Sequence, residues 1–120
     1  MLKHTNLITK MSQINQKGDV LLFLDRSNWL LESNQKIIWN FIPAASRDPD
    51  SICMMYEYDP SGKLLRTQSP KFDVTIENEI PTLIIGDNKF RIHMPDSNSI
   101  ILTTAKSELK FRRMSEDEKV

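Results

Sequence analysis

The sequence predicts an all-β fold: an antiparallel up-and-down meander of about eight or nine short strands closing into a small barrel, with a short N-terminal helix. Three observations predict it. From Trp29 onward apolar residues recur at every second position, the period of a strand with one buried face. Turn-forming residues interrupt the alternation at roughly the 8–12 residue spacing of barrels and sandwiches. The connections are almost all short, which makes successive strands antiparallel neighbours. Such a meander exposes two edges unless it closes.

The elements follow in order. Leu7, Met11 and Ile14 stand at helical spacing, so residues 5–17 are read as a helix capped by Thr5 or Asn6 and ended by Gly18. Its apolar stripe is narrow, which docks it on the domain and not at its centre. Residues 1–18 are thus a helical segment, 19–114 the barrel domain and 115–120 a charged tail. Residues 19–26 stay open between a short helix capped by Asp19 and a strand, because a short apolar run such as VLLFL fits both.

Strands are then expected at WLLES (29–33), KIIWNFI (36–42) and, beyond the proline-containing loop 43–50, SICMMYEYD (51–59). Asp59-Pro60-Ser61-Gly62 is a turn, since proline presets φ at its second position and glycine accepts positive φ. Lys63 to Gln68 returns, and Ser69-Pro70 punctuates it. FDVTIE (72–77) alternates Phe72, Val74 and Ile76 inward against Asp73, Thr75 and Glu77 outward. After Pro81, Thr82 to Ile85 and Lys89 to Met94 flank Gly86-Asp87-Asn88. Pro95-Asp96-Ser97-Asn98 is the next turn, before Ile100 to Leu102. Glu108 to Arg113 is the last strand, with Leu109, Phe111 and Arg113 on one face.

Composition narrows function. With 16 basic and 16 acidic residues the net charge is zero, so the chain lacks the basic field of a nonspecific nucleic-acid binder or a polybasic membrane anchor. No apolar run is long enough to span a bilayer. The polar start lacks the apolar region of a secretory signal, and the single Cys53 forms no internal disulfide. The expected compartment is the cytoplasm; a secreted or periplasmic chain whose leader had been removed would read the same. Cys53, inside Ile52-Cys53-Met54-Met55, is read as a buried small hydrophobe. With two scattered histidines, His4 and His93, there is no metal-ligand spacing and no expected cofactor. His93 alternates with Ile92 and Met94 and should face solvent. Asp48 and Asp50 are loop carboxylates explained by turn formation. No nucleophile–base pair is visible, so an enzyme is not expected.

The segments Phe90-Arg91-Ile92, Ile100-Ile101-Leu102 and Phe111-Arg112-Arg113, with the YDPSGKLLRT hairpin, resemble small bacterial lipocalin-like (calycin) domains over residues 27–114. Lipocalins open with Gly-x-Trp; here Ser27-Asn28-Trp29 keeps only the tryptophan. The resemblance implies a structural pair at the closed end of the barrel, an arginine of the last strand covering the early tryptophan. That pair is Trp29 with Arg113, or with Arg112 if the parity is shifted, and such stacking contributes ~0.5–2 kcal/mol.

Alternation nominates Trp39, Phe41, Cys53, Met55, Phe72, Val74, Phe90 and Ile92 as the interior lining. The leading expectation is a noncatalytic binding module for a small apolar or amphipathic ligand, against a barrel filled by its own side chains. The alternative is a protein–protein interaction or inhibitor domain. Strand 52–58 is apolar on both faces, and one of them could meet a partner or a second copy.

Overall fold

The computed structural model describes residues 16–25, 27–44 and 50–118. The helix expected over 5–17 falls almost wholly outside those residues, as do His4 and Asp48. One helix, α1 (Lys17–Leu24), precedes nine strands: β1 (Asn28–Leu31), β2 (Ile37–Ile42), β3 (Ile52–Tyr58), β4 (Leu64–Gln68), β5 (Phe72–Glu77), β6 (Ile80–Ile85), β7 (Asn88–Asp96), β8 (Ser99–Thr103) and β9 (Glu108–Arg113). The run left open between helix and strand is helical as far as Leu24. Gly18 was expected to end a helix and instead lies in the first turn of one. Asp19 also stands in that first turn, where its charge complements the helix dipole, and Gln16 holds the cap position. What decides for helix is tertiary: Val20 and Leu24, four residues apart, are both fully buried in the core.

The strands form one antiparallel sheet in the order β4-β3-β2-β1-β9-β8-β7-β6-β5, curled into a half-barrel. Its two end strands are consecutive in the chain. β4 pairs with β3 through Met55↔Gln68, Tyr56↔Thr67 and Glu57↔Arg66, and the bridge Ile52↔Lys71 continues that register just before β5 begins. Cys53 N–H donates to the Pro70 carbonyl and Phe72 N–H to that of Ser51, both at 2.9 Å. The Lys71 carbonyl accepts from Gly86 N–H at 3.3 Å, on the β6 side. Residues 64–77 are therefore one bent strand, paired first with β3 and then with β6. Ser69-Pro70 marks the bend, because Pro70 has no N–H to donate and its carbonyl still accepts.

Two strands run further than their prolines suggest. β6 begins at Ile80 and pairs Pro81 with Ile76; its ladder to β7 starts one residue later, at Thr82↔Arg91, so the missing donor leaves no gap there. β7 continues through Pro95 to Asp96 across a register shift between His93 and Asp96, where a bulge tolerates proline. The turn is Ser97-Asn98 alone.

The core fills the concave face. Trp29, Phe41, Val74, Leu83, Ile100 and Leu102 are completely buried, and Val20 and Leu24 of α1 close over them. Phe41 meets Phe72 edge-on at 5.3 Å between ring centroids, joining β2 to β5 across the interior.

Candidate functional site

The register sorts side chains into inward and outward sets. Trp29↔Trp39↔Met55 and Phe41↔Cys53 lie on the inner face of β1, β2 and β3. Toward α1 this face is filled: Phe41, Cys53, Phe72, Val74 and Ile92, five of the eight nominated residues, are at most 5% exposed. Burial pushes the Cys53 thiol up to about 12, so it stays protonated at neutral pH and is no nucleophile there.

Away from α1 the inner face opens. Between β9, β1, β2, β3 and β4 lies a groove of about 300 Å³, floored by Leu31, Ile37, Trp39, Met55 and Leu109. Trp39 and Met55 are half-buried, and the Trp39 ring rests 4.8 Å from that of Phe111. On the β3–β4 side the groove is also lined by Tyr56, Glu57, Arg66 and Gln68, with Arg66 Nε 3.5 Å from Glu57 Oε1. That pair is solvent-exposed and adds roughly 0–1 kcal/mol to stability, leaving its groups able to exchange partners.

Two of the eight nominated residues, Trp39 and Met55, therefore meet in this groove. Phe90 lines a separate concavity of about 460 Å³ with Thr82, Lys89, Arg91 and Thr103, and Phe72 touches a third of about 330 Å³ beside α1. Leu31, Ile37 and Leu109 were not nominated as lining, although alternation put Ile37 on one face with Trp39 and Leu109 on one face with Phe111. The signal for them was cross-strand parity: Leu31 faces Phe111 in register, two residues from Leu109, and Ile37 precedes Trp39 by two.

Below the filled end stands a second cluster. Arg113 Cζ lies 4.4 Å from the Trp29 ring centroid and 5.1 Å from that of Phe23, and the two rings stack at 5.7 Å. The guanidinium donates to the Ser97 carbonyl at 3.0 and 3.1 Å, to the Phe23 carbonyl at 3.1 Å and to Ser27 Oγ. Its partial burial lowers its pKa from the usual guanidinium value. Arg112, the parity alternative, faces the other way and pairs with Glu118.

His93 is exposed. Among the described residues no group of three or more His, Cys, Asp or Glu side chains could hold a metal ion, and no helix is long and apolar enough to cross a membrane. No family model, no curated protein and no solved structure matches the chain.

Proposed function

We propose that the protein is a noncatalytic binding module that takes a small amphipathic ligand in the groove over Trp39 and Met55. The groove carries the reading: an apolar floor with a few polar groups on one side is the usual form of a small-molecule site. Its 300 Å³ stands at the lower limit of such sites, so the ligand is small. About six buried methylenes contribute ~5 kcal/mol. Association costs ~4 kcal/mol or more, so apolar burial alone leaves ~1 kcal/mol or less and the contacts at the polar end have to supply the rest of any useful affinity. The ligand's polar end would lie against Glu57, Arg66 and Gln68. The inert Cys53 thiol supports the noncatalytic part of the reading, and the likeness to lipocalin-like domains supports an interior ligand. Titration with 1-anilinonaphthalene-8-sulfonate tests it. The expected result is saturable fluorescence at one site, displaced by decanoate and lost in Met55→Trp, which fills the groove. No saturable binding, or binding indifferent to Met55→Trp, overturns it.

A further inference from the structure

We infer that a second site, on the outer face of β6, β7 and β8, takes a small monocarboxylate with an apolar body, gripped by Arg91. The register sets Arg91 between two threonines, Thr82 on β6 and Thr103 on β8. The alternate residues Leu83, Ile92 and Leu102 are buried in the core, so these three face outward. Directly opposed residues stand about 5 Å apart at Cβ, so a hydroxyl flanks the arginine on each side. All three line a concavity of about 460 Å³, which is large enough for a small molecule.

Charge selects the ligand. Lys89 Nζ reaches Glu77 Oε2 at 3.3 Å, and the Thr75 hydroxyl donates to the same carboxylate, so these two lining charges cancel. Glu108, opposite Thr103 in register, is paired with Lys110 at 3.5 Å. Arg91 is left over: it makes no ion pair or side-chain hydrogen bond with any described residue. The concavity therefore carries one uncompensated positive charge, which suits a monoanion. A phosphate dianion or a nucleic-acid strand asks for more. Among monoanions, the planar fork of a guanidinium matches a carboxylate through two parallel hydrogen bonds.

The walls supply the rest. The Thr103 hydroxyl has no hydrogen-bond partner among the described residues and is free to donate to the bound carboxylate. Thr104 is not free in this way, since its Oγ1 closes the β8–β9 turn against Ser107 and the Lys106 N–H. Ile80 and Phe90, both half-buried, also line the concavity. They offer apolar surface to the body of a ligand whose carboxylate lies on Arg91, and a bare anion leaves that surface wet.

Amide chemical shifts of the isotopically labelled full chain, titrated with sodium benzoate, test the inference. Saturable shifts should gather around Thr82, Arg91 and Thr103, with roughly millimolar affinity for one charge-assisted grip at an exposed arginine. Acetate lacks the apolar body and benzamide, the neutral isostere, lacks the charge; each should bind at least about tenfold more weakly. Arg91→Gln should weaken benzoate by about tenfold or more. Lys63→Gln, which removes a charge from the distant β3–β4 turn, should leave binding unchanged. If Arg91→Gln does not fold, the comparison of ligands on the unaltered chain decides. No saturable shift up to about 50 mM benzoate overturns the inference. So does acetate, benzamide or inorganic phosphate binding as tightly as benzoate, or binding unmoved by Arg91→Gln. Benzoate shifts gathered around Trp39 and Met55 instead overturn this inference alone and leave the groove reading standing.

Discussion

The guanidinium of Arg113 sits over the ring of Trp29, its cross-strand partner in the β1–β9 ladder, with Cζ 4.4 Å from the ring centroid. The same guanidinium holds the carbonyls of Phe23 and Ser97, so one side chain joins the end of α1, β1 and the β7–β8 turn. Arg113→Ala should lower stability by about 2–4 kcal/mol, from lost stacking and charge-assisted hydrogen bonds. Arg113→Lys should lose less, keeping the charge without the planar fork. Urea unfolding followed by tryptophan fluorescence measures both. A loss below about 0.5 kcal/mol for the alanine variant would assign the cluster no structural weight.

Cys53 makes the fold sensitive to alkali. Burial raises its pKa to about 12 in the folded chain, from the ordinary thiol value of 9.0. The stability that goes with the protonated thiol is complete below about pH 9 and drains away as pH rises toward 12, by up to ~1.4 kcal/mol per pH unit. Cys53→Ala should flatten this alkaline slope, whatever its constant offset. Urea midpoints for both proteins from neutral to alkaline pH supply the comparison, and equal slopes would exclude the thiol as the cause.

Acid acts through a different set. Hydrogen bonds from Lys17 hold the Asp73 carboxyl below its usual range, and Ser61, Thr75 and Arg112 do the same for Asp59, Glu77 and Glu118. These depressed carboxylates favour the fold above about pH 4, and the benefit is lost as pH falls through their folded pKa values. Lys17→Met should return the Asp73 titration, read by carbon-detected NMR, toward an ordinary aspartate. The pair is more than half exposed on both sides, so the stability change should stay under about 1 kcal/mol.

The β5–β6 hairpin turns on Asn78 and Glu79, at φ +53° and +66°. Asparagine tolerates this left-handed region; glutamate does so at a cost of roughly 1–2 kcal/mol. Glu79→Gly should therefore raise stability by roughly 0.5–1 kcal/mol, after the greater backbone freedom of glycine in the unfolded chain is counted. An unchanged or lower urea midpoint would show the turn to be unstrained.

This hairpin also shows where sequence reading stops short. FDVTIE was legible as a strand with its end at Glu77, but Asn78-Glu79 lacks the glycine that signals a two-residue turn, so Ile80 and Pro81 were left outside β6. Pro95 hid the end of β7 in the same way, because tolerance of a proline depends on whether a neighbouring strand needs its donor.

Alternation is a local property, and by itself it determined the strands, their inward faces and the short turns that make the sheet an antiparallel meander. It placed Phe41, Cys53, Phe72, Val74 and Ile92 on the inner face because period two is written into each strand separately. Only the tertiary structure decided how far along that face the interior is filled. Val20 and Leu24 enter from α1 and occupy one end, while Trp39 and Met55, on the same face, are left lining an open groove. Only the tertiary structure joined β4 to β5 as one bent strand, through the bridge Ile52↔Lys71 that carries the β3 pairing up to the start of β5. Both outcomes rest on contacts between distant parts of the chain, where neighbours in space are set by packing and not by spacing along the sequence.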